Sequence, residues 1–176
     1  RKEVAEAFKK IGGIHKSSPF EVARNSNVII VMVLNDLQVK DVILAENGLL
    51  AGLDPGSVII CMSTINRSTI LDVASKCLIK GVDLVDCPFT GGPARVLNSS
   101  LTLIAAASDQ IIEKITPILS VIGKVVHVGV DIGMGQIVKY CNQLLVGTTH
   151  AATMEVISLA RKLKLDVNLV CDVVGN

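Results

Sequence analysis

Short apolar runs alternate with amphipathic segments along the first three quarters of the chain. The apolar runs, rich in valine and isoleucine, predict buried strands over residues 28–33, 58–62, 82–87, 101–106 and 125–128. Apolar residues at helical spacing predict helices over residues 1–11, 18–25, 36–44, 67–79 and 109–121. Strands that alternate with helices of this length are typical of an α/β fold with a parallel, doubly wound sheet.

The pattern changes at Gly133, after which only helical spacing remains. A long helix is predicted over residues 134–163, and a further helix is predicted to start near Asp166. We therefore place a domain boundary at Gly133, which separates residues 1–132 from the beginning of a helical domain at 133–176. Residues 88–100 are predicted to form a loop.

Lys139 lies near the start of this long helix, in a segment that is otherwise largely apolar. Partial burial disfavours the ammonium form, and the positive end of the helix dipole repels it, so both effects lower the pKa of a lysine. Five polar side chains fall roughly on one stripe of the helix: Gln136, Lys139, Asn142, Gln143 and His150. The stripe contains no carboxylate, which fits a site built around a base. A solvated helix face gives a similar pattern and remains an alternative.

Polar or glycine-containing segments follow three of the predicted strands, at residues 34–38, 63–66 and 88–93. Ligands bind at the carboxyl ends of the strands in doubly wound sheets, so three such segments on one edge indicate a site. In the third segment, Gly91 and Gly92 allow backbone N–H groups to approach an anion, and Thr90 adds a hydroxyl donor. This arrangement suits a carboxylate, although adjacent glycines also occur in ordinary turns.

Composition narrows the function classes. Half of the 176 residues are apolar and the mean hydropathy is +0.57, but no uninterrupted apolar run approaches the roughly 18 residues of a membrane span. The net charge is +1 and aromatic residues make up 2% of the chain, so no stacking surface for nucleic acid is expected. The three histidines share no ligand spacing with cysteines or carboxylates, and no metal site is predicted.

The five cysteines include no C-x-x-C pair. Cys61 and Cys87 fall in predicted strands and Cys141 in the long helix, so we interpret them as small buried apolar residues in a reducing compartment.

Four motifs together resemble the β-hydroxyacid dehydrogenases, the family that includes 3-hydroxyisobutyrate dehydrogenase, tartronate semialdehyde reductase and, more distantly, 6-phosphogluconate dehydrogenase. Residues 86–92, Asp-Cys-Pro-Phe-Thr-Gly-Gly, resemble the family's D-x-P-x-S-G-G substrate motif. Gly133, Gly135, Lys139 and Asn142 match its G-x-G-x-x-x-K-x-x-N motif. Residues 33–38 and 62–65 are similar to its two cofactor-contacting strand ends.

The resemblance implies an oxidoreductase that transfers a hydride between NAD or NADP and the hydroxyl-bearing carbon of a small hydroxyacid or sugar acid. The catalytic residues are then Lys139, as general acid/base, and Asn142, which orients the substrate. The expected substrate contacts are Thr90, Gly91, Gly92 and Gln143. The expected cofactor contacts are Leu34, Asn35, Gln38 and Thr64.

Two departures from the family pattern concern the substrate. Thr90 replaces the usual serine, which keeps the hydroxyl and adds a methyl group. Gln143 stands where many members have a second asparagine, and the residues that follow are more similar to the L-threonate dehydrogenase branch. This similarity favours a small four-carbon sugar acid as substrate.

A third departure is the missing start of the dinucleotide-binding domain. The family's first strand, G-x-G-x-x-G turn and helix, which bind the pyrophosphate, are absent from the chain, as is the residue that chooses between NAD and NADP. Most of the C-terminal helical domain is also absent. The resemblance thus implies an incomplete Rossmann-like domain at 1–132 and an internal piece of a dehydrogenase of roughly 290 residues. In such an inactive piece, Lys139 is expected to be exposed and to have an ordinary pKa.

The resemblance also implies a small hydroxycarboxylate as the partner molecule, homo-oligomers and a cytoplasmic location, with a mitochondrial one left open by the missing N-terminus. The exposed helix around residues 144–163 is expected to associate between chains or to aggregate. A non-catalytic scaffold or interaction module on the same fold is the alternative function, and a truncated gene product is a further possibility. Some relatives have lost the lysine, whereas this chain keeps Lys139 and Asn142.

Overall fold

Residues 2–175 are described by the computed structural model of the chain. The chain divides between Lys139 and Tyr140 into two compact units, which are described separately. This division falls within the long helix, seven residues after the boundary predicted between residues 132 and 133 from the sequence pattern. The sequence pattern marks the start of the helix, whereas the division of the structure marks where few contacts connect the two units. The predicted domain limits therefore remain a prediction.

The first unit contains every strand and every helix that the hydrophobic pattern predicts for it. In chain order its elements are α1 (Lys2–Lys10), α2 (Pro19–Ala23), β1 (Val28–Val31), α3 (Asp36–Leu44), α4 (Leu49–Gly52), β2 (Val58–Cys61), α5 (Arg67–Ile79), β3 (Asp83–Asp86), β4 (Phe89–Thr90), α6 (Gly92–Leu97), β5 (Leu101–Ala106), α7 (Asp109–Leu119), β6 (Gly123–Gly129) and the start of α8 (Met134–Lys162). The pattern missed α4, β4 and α6, which are too short to show periodicity. The segment predicted as a loop at 88–100 thus contains a two-residue strand and a helix.

The six strands form one sheet in which β1, β2 and β3 are parallel neighbours. The next strand, β5, runs antiparallel to β3 and β4, with Asp86 opposite Ala106 and Phe89 opposite Leu103, and β6 is parallel to β5. The Rossmann-like α/β class is confirmed, but the sheet is mixed rather than parallel throughout. A short connection through α6 explains the difference, because a parallel return requires a crossover of a dozen or more residues.

Helices cover both faces of the sheet, as expected for a doubly wound fold. Alternate residues of β2 enter different core clusters: Ile59 and Cys61 pack with α3 and α5, whereas Val58 and Ile60 pack with α7. All four side chains are completely buried. Each large aliphatic side chain buried in this way stabilises the fold by about 1.5–3 kcal/mol relative to an exposed one, which explains the unbroken apolar run.

The second unit consists of the remainder of α8 and α9 (Val167–Val174). The Asp166 carboxylate accepts a 2.9 Å hydrogen bond from the Asn168 backbone N–H and caps α9 where the sequence predicts its start. A groove of about 430 Å³ in this unit has an apolar lining that includes Val156, Ile157 and Val170. Across residues 2–175, no helix combines the length and the hydropathy that a membrane crossing requires.

The cysteines are reduced and fall into two groups. Cys61, Cys77 and Cys87 are buried in the first unit, and burial raises the pKa of the Cys61 and Cys87 thiols to about 12. Cys141 and Cys171 are exposed. The prediction that Cys141 is a buried apolar residue is therefore wrong, because its thiol lies on an exposed part of α8.

Candidate active site

The first turn of α8 is held by Asp86, the last residue of β3. Its Oδ2 accepts hydrogen bonds from the backbone N–H groups of Gly133 (2.9 Å) and Gln136 (3.1 Å), and its Oδ1 accepts one from Nε2 of Gln136 (2.8 Å). Asp86 is completely buried. Burial raises the pKa of this carboxyl, while the hydrogen bonds act in the opposite direction. A carboxylate at a helix N-terminus also satisfies N–H groups that have no partner within the helix.

The two positions of the Gly-x-Gly motif require glycine for different structural reasons. Gly133 adopts φ +96°, a left-handed conformation that residues with a Cβ rarely take. At Gly135 a Cβ atom would lie 2.8 Å from the backbone oxygen of Asp86 and 2.9 Å from that of Ile104. The motif therefore lets α8 begin in close contact with the ends of β3 and β5.

Gln136 connects this helix to the loop that follows β2. Its Oε1 accepts a 3.0 Å hydrogen bond from the Ile65 N–H, and its Nε2 donates to the Ser63 carbonyl oxygen at 3.1 Å. The side chain is completely buried. The sequence placed Gln136 on the polar stripe and Asp86 in a motif, but it assigned neither a role. A usable signal was the carboxylate of Asp86 between the apolar residues Val85 and Cys87.

Lys139 follows one helical turn after Gln136, and only 8% of its surface is accessible. Within residues 2–175 its ammonium makes no salt bridge or hydrogen bond. Burial lowers the pKa of Lys139 below its ordinary value of 10.5. The expectation of an exposed lysine with an ordinary pKa is therefore wrong, because the side chain is buried and burial lowers its pKa. The solvated-face alternative is excluded for Gln136 and Lys139.

A cleft of about 550 Å³ lies at the carboxyl ends of β1 and β2. It is lined by Met32, Val33, Leu34, Gln38, Met62, Ser63, Thr64 and Phe89. Three of the four predicted cofactor contacts, Leu34, Gln38 and Thr64, are thus brought together. The fourth, Asn35, caps α3 by accepting a 3.0 Å hydrogen bond from the Gln38 N–H, and it does not line the cleft.

Two hydrogen bonds shape the wall of this cleft. The Gln38 Oε1 accepts from the Leu34 N–H at 2.9 Å, and the Ser63 Oγ accepts from the Val33 N–H at 2.8 Å. The Leu34 side chain remains 86% exposed. The wall therefore presents an apolar side chain beside amide and hydroxyl groups, a combination that suits a ligand with both flat apolar rings and sugar hydroxyls.

The predicted carboxylate-binding residues form the turn between β4 and α6. Thr90 is half-buried, and Gly91 and Gly92 have φ angles of +140° and +66°. A Cβ atom at Gly91 would lie 2.8 Å from Cδ of Arg95 and 3.1 Å from a methyl carbon of Leu101. The positive φ angles favour glycine at both positions, and at Gly91 the close side chains of Arg95 and Leu101 also leave no room for a Cβ atom.

The remaining predicted site residues belong to the second unit. The Asn142 Oδ1 is buried and, among the described residues, has no hydrogen-bond partner. A buried acceptor without a partner costs about 1–3 kcal/mol, and a hydrogen bond from a bound molecule would offset that cost. Gln143 and His150 are exposed, so the solvated-face interpretation holds for this later part of the stripe.

Comparison with known families covers both parts of the chain. Residues 1–130 match the family described as the NAD binding domain of 6-phosphogluconate dehydrogenase, and residues 133–176 match the NAD-binding domain of NADP-dependent 3-hydroxyisobutyrate dehydrogenase. The chain belongs to the β-hydroxyacid dehydrogenase family. Membership agrees with the four motifs and confirms the resemblance drawn from them.

Characterised family members show the same relationship. The chain is 34% identical to L-threonate dehydrogenase of Escherichia coli O6:H1 over 88% of its own length and 51% of the relative's. It is 36% identical to 2-(hydroxymethyl)glutarate dehydrogenase of Eubacterium barkeri over 88% of its length and 52% of that enzyme's. The chain thus spans about half the length of the curated relatives it matches.

A solved structure described as Psf3 in complex with NADP+ and 2-OPP superposes with a TM-score of 0.90 at 27% identity. The match covers 97% of this chain and 61% of that protein.

Proposed function

We propose that this chain forms the central part of an NAD(P)-dependent dehydrogenase of small hydroxyacids, with Lys139 as the general acid/base. The observation that carries the proposal is the burial of Lys139 without an acidic partner among the described residues, which lowers its pKa. A structural lysine would gain from a salt bridge, whereas a base needs access to its neutral form near the working pH. The dehydrogenase relatives support this function and do not favour a non-catalytic scaffold.

The chemistry assigned to Lys139 is proton transfer at the substrate hydroxyl. In oxidation the neutral amine takes the hydroxyl proton while the carbon of the same alcohol loses a hydride and becomes a carbonyl. The nicotinamide of NAD or NADP supplies the hydride acceptor when the dinucleotide is bound. In the reverse direction the ammonium form of Lys139 donates the proton to the developing alkoxide.

The cleft at the ends of β1 and β2 is the proposed place for part of the dinucleotide. Leu34 offers apolar surface, and Thr64 is exposed and carries a hydroxyl. The Gln38 Oε1 is occupied by the Leu34 N–H, while its Nε2 makes no hydrogen bond within residues 2–175 and remains available as a donor. Asn35 contributes through its cap on α3, which orients Gln38.

The substrate class follows from the turn at Thr90 and from α8. We propose that Thr90, Gly91 and Gly92 bind the substrate carboxylate through the threonine hydroxyl and backbone N–H groups. Asn142, three residues after Lys139 on the same helix, is proposed to orient the substrate through its amide, and Gln143 to contact it. Similarity to L-threonate dehydrogenases favours a four-carbon sugar acid among small hydroxycarboxylates.

A substrate screen on the full-length protein tests this function. Purified protein is assayed by NADH or NADPH absorbance with L-threonate, 3-hydroxyisobutyrate and 2-(hydroxymethyl)glutarate, each with both cofactors. We expect turnover of at least one hydroxyacid, with the threonate-like substrate preferred. Absence of turnover with all three substrates and both cofactors would count against the function and in favour of the scaffold alternative.

A further inference from the structure

Gln136 joins three segments of the first unit through buried hydrogen bonds. Its carboxamide donates to the Asp86 carboxylate (2.8 Å) and to the Ser63 carbonyl oxygen (3.1 Å), and it accepts from the Ile65 N–H (3.0 Å). Its backbone N–H donates to Asp86 as well, at 3.1 Å. The end of β3, the loop after β2 and the start of α8 therefore share one side chain.

The same set of hydrogen bonds reaches the wall of the cleft. Ser63, whose carbonyl receives the Gln136 amide, accepts the Val33 N–H through its hydroxyl at 2.8 Å. Val33 and Ser63 both line the cleft. A continuous series of contacts thus runs from the cleft wall through Ser63 and Gln136 to α8, and Lys139 is the residue one turn further along that helix.

We infer that Asp86 and Gln136 are positioning residues that fix the first turn of α8 at the edge of the sheet, and thereby fix Lys139 relative to the cleft. This inference rests on the proposed dehydrogenase function. Neither residue touches substrate; both act through the helix that carries the base. Gly135 lets the helix approach the backbone of β3 and β5 closely, which limits its distance from the sheet. The hydrogen bonds of Asp86 and Gln136 then fix the rotation of the helix about its axis.

Exchanging the donor and the acceptor of the Asp86–Gln136 hydrogen bond tests the inference in the full-length protein. In Asp86→Asn, the Asn oxygen must accept the Gly133 and Gln136 N–H groups, so the Asn amide group meets the Gln136 amide group, donor against donor. In Gln136→Glu, two carboxylates meet. The double variant restores a donor opposite an acceptor and keeps one negative charge, although the Ser63 carbonyl then faces an acceptor. Recovery is therefore expected to be partial.

We expect each single variant to lower kcat at least tenfold with a smaller change in KM. The midpoint of the pH profile of kcat should rise towards the ordinary value of lysine, because a displaced Lys139 gains contact with water. The double variant should recover part of both changes. Gln136→Met keeps the volume of the side chain and removes its hydrogen bonds, and it gives the same readout if a charged variant does not fold.

Ile115→Val is the stability control, because Ile115 is completely buried in α7 and makes no contact in this network. It should lower the melting temperature and leave the pH midpoint unchanged. An inactive wild type would refute the proposed function itself. An active wild type whose network variants keep the normal midpoint, or whose double variant shows no recovery, would overturn only the positioning role.

Discussion

The Asp86 carboxylate and the Gln136 carboxamide, 50 residues apart in sequence, meet through a 2.8 Å hydrogen bond in the interior of the first unit. This contact explains why a dehydrogenase motif that ends in Thr90, Gly91 and Gly92 begins with an aspartate. The aspartate accepts hydrogen bonds from the first turn of the helix that carries Lys139, and the glycines form the turn that follows β4. The two motifs are therefore in direct contact through Asp86 and the start of α8, although they are far apart in the sequence.

Replacing Lys139 by methionine in the full-length protein should remove most of kcat. Met has a similar length and suits the buried position, so the fold is expected to remain intact, as judged by circular dichroism and melting temperature. Loss of a general acid/base typically lowers the rate by about 10²–10⁴. Lys162→Met, an exposed position near the end of the same helix, is the matched control. Undiminished turnover in Lys139→Met would refute the assigned role.

The pH dependence of the reaction should report the lowered pKa of Lys139. Oxidation requires the neutral amine, so kcat for oxidation should rise with pH and level off above a midpoint below 10.5, while kcat for reduction, which requires the ammonium, should fall as the pH rises. Initial rates in both directions between about pH 6 and 10 measure this. A profile in which both directions rise with pH would contradict the assignment.

The same pKa shift has a consequence for stability. The folded state disfavours the ammonium of Lys139, so its folded pKa lies below its unfolded one. The unfolded state then binds more protons between the two values, and the free energy of unfolding should rise as the pH increases through this window. Denaturant titrations of wild type and Lys139→Met at several pH values check this: the rise should be smaller in the variant.

The hydrophobic pattern predicted most of this fold because its central strands, β2, β3 and β5, are largely buried and most of its helices are long enough to show periodicity. β2 is an example, since all four of its residues are apolar and buried. The same reasoning missed the antiparallel return into β5, which depends on the length of the α6 connection, and it missed α6 itself. Local pattern carries no information on such strand order.

The candidate site was predictable where a motif has a local cause. Leu34, Gln38 and Thr64 meet in one cleft because they follow neighbouring parallel strands. For Lys139 the sequence pointed both ways: the apolar segment around it suggested partial burial, whereas the missing parts of the family fold suggested exposure, and the side chain is buried. Asn35 is predicted to contact the cofactor, but its side chain caps the N-terminus of α3. The same polar residue types serve both purposes, so the sequence does not distinguish them.

Gly135 and Gly147, both on α8, should respond in opposite ways to alanine. A Cβ at Gly135 would lie within 2.9 Å of backbone oxygens in β3 and β5, so Gly135→Ala should lower the free energy of unfolding by about 1–3 kcal/mol. A Cβ at Gly147 meets nothing within 4 Å, and Gly147→Ala should stabilise the helix by about 0.5–1 kcal/mol. Urea denaturation of the two variants measures the difference, and equal effects would contradict the close approach at Gly135.

The 176-residue chain is expected to self-associate through the exposed apolar residues of its second unit. Leu144 and Leu145 are 71% and 66% exposed, and Met154, Leu159 and Leu163 are similarly uncovered. Apolar surface of this extent favours association because burying it releases water. Light scattering should show species larger than a monomer, and replacing Leu144 and Leu145 with glutamate should shift the distribution towards the monomer.

The control pair is Thr148→Glu with Thr149→Glu, which adds the same charge to the helix without removing an apolar side chain. A clean monomer of the unaltered chain would contradict this expectation.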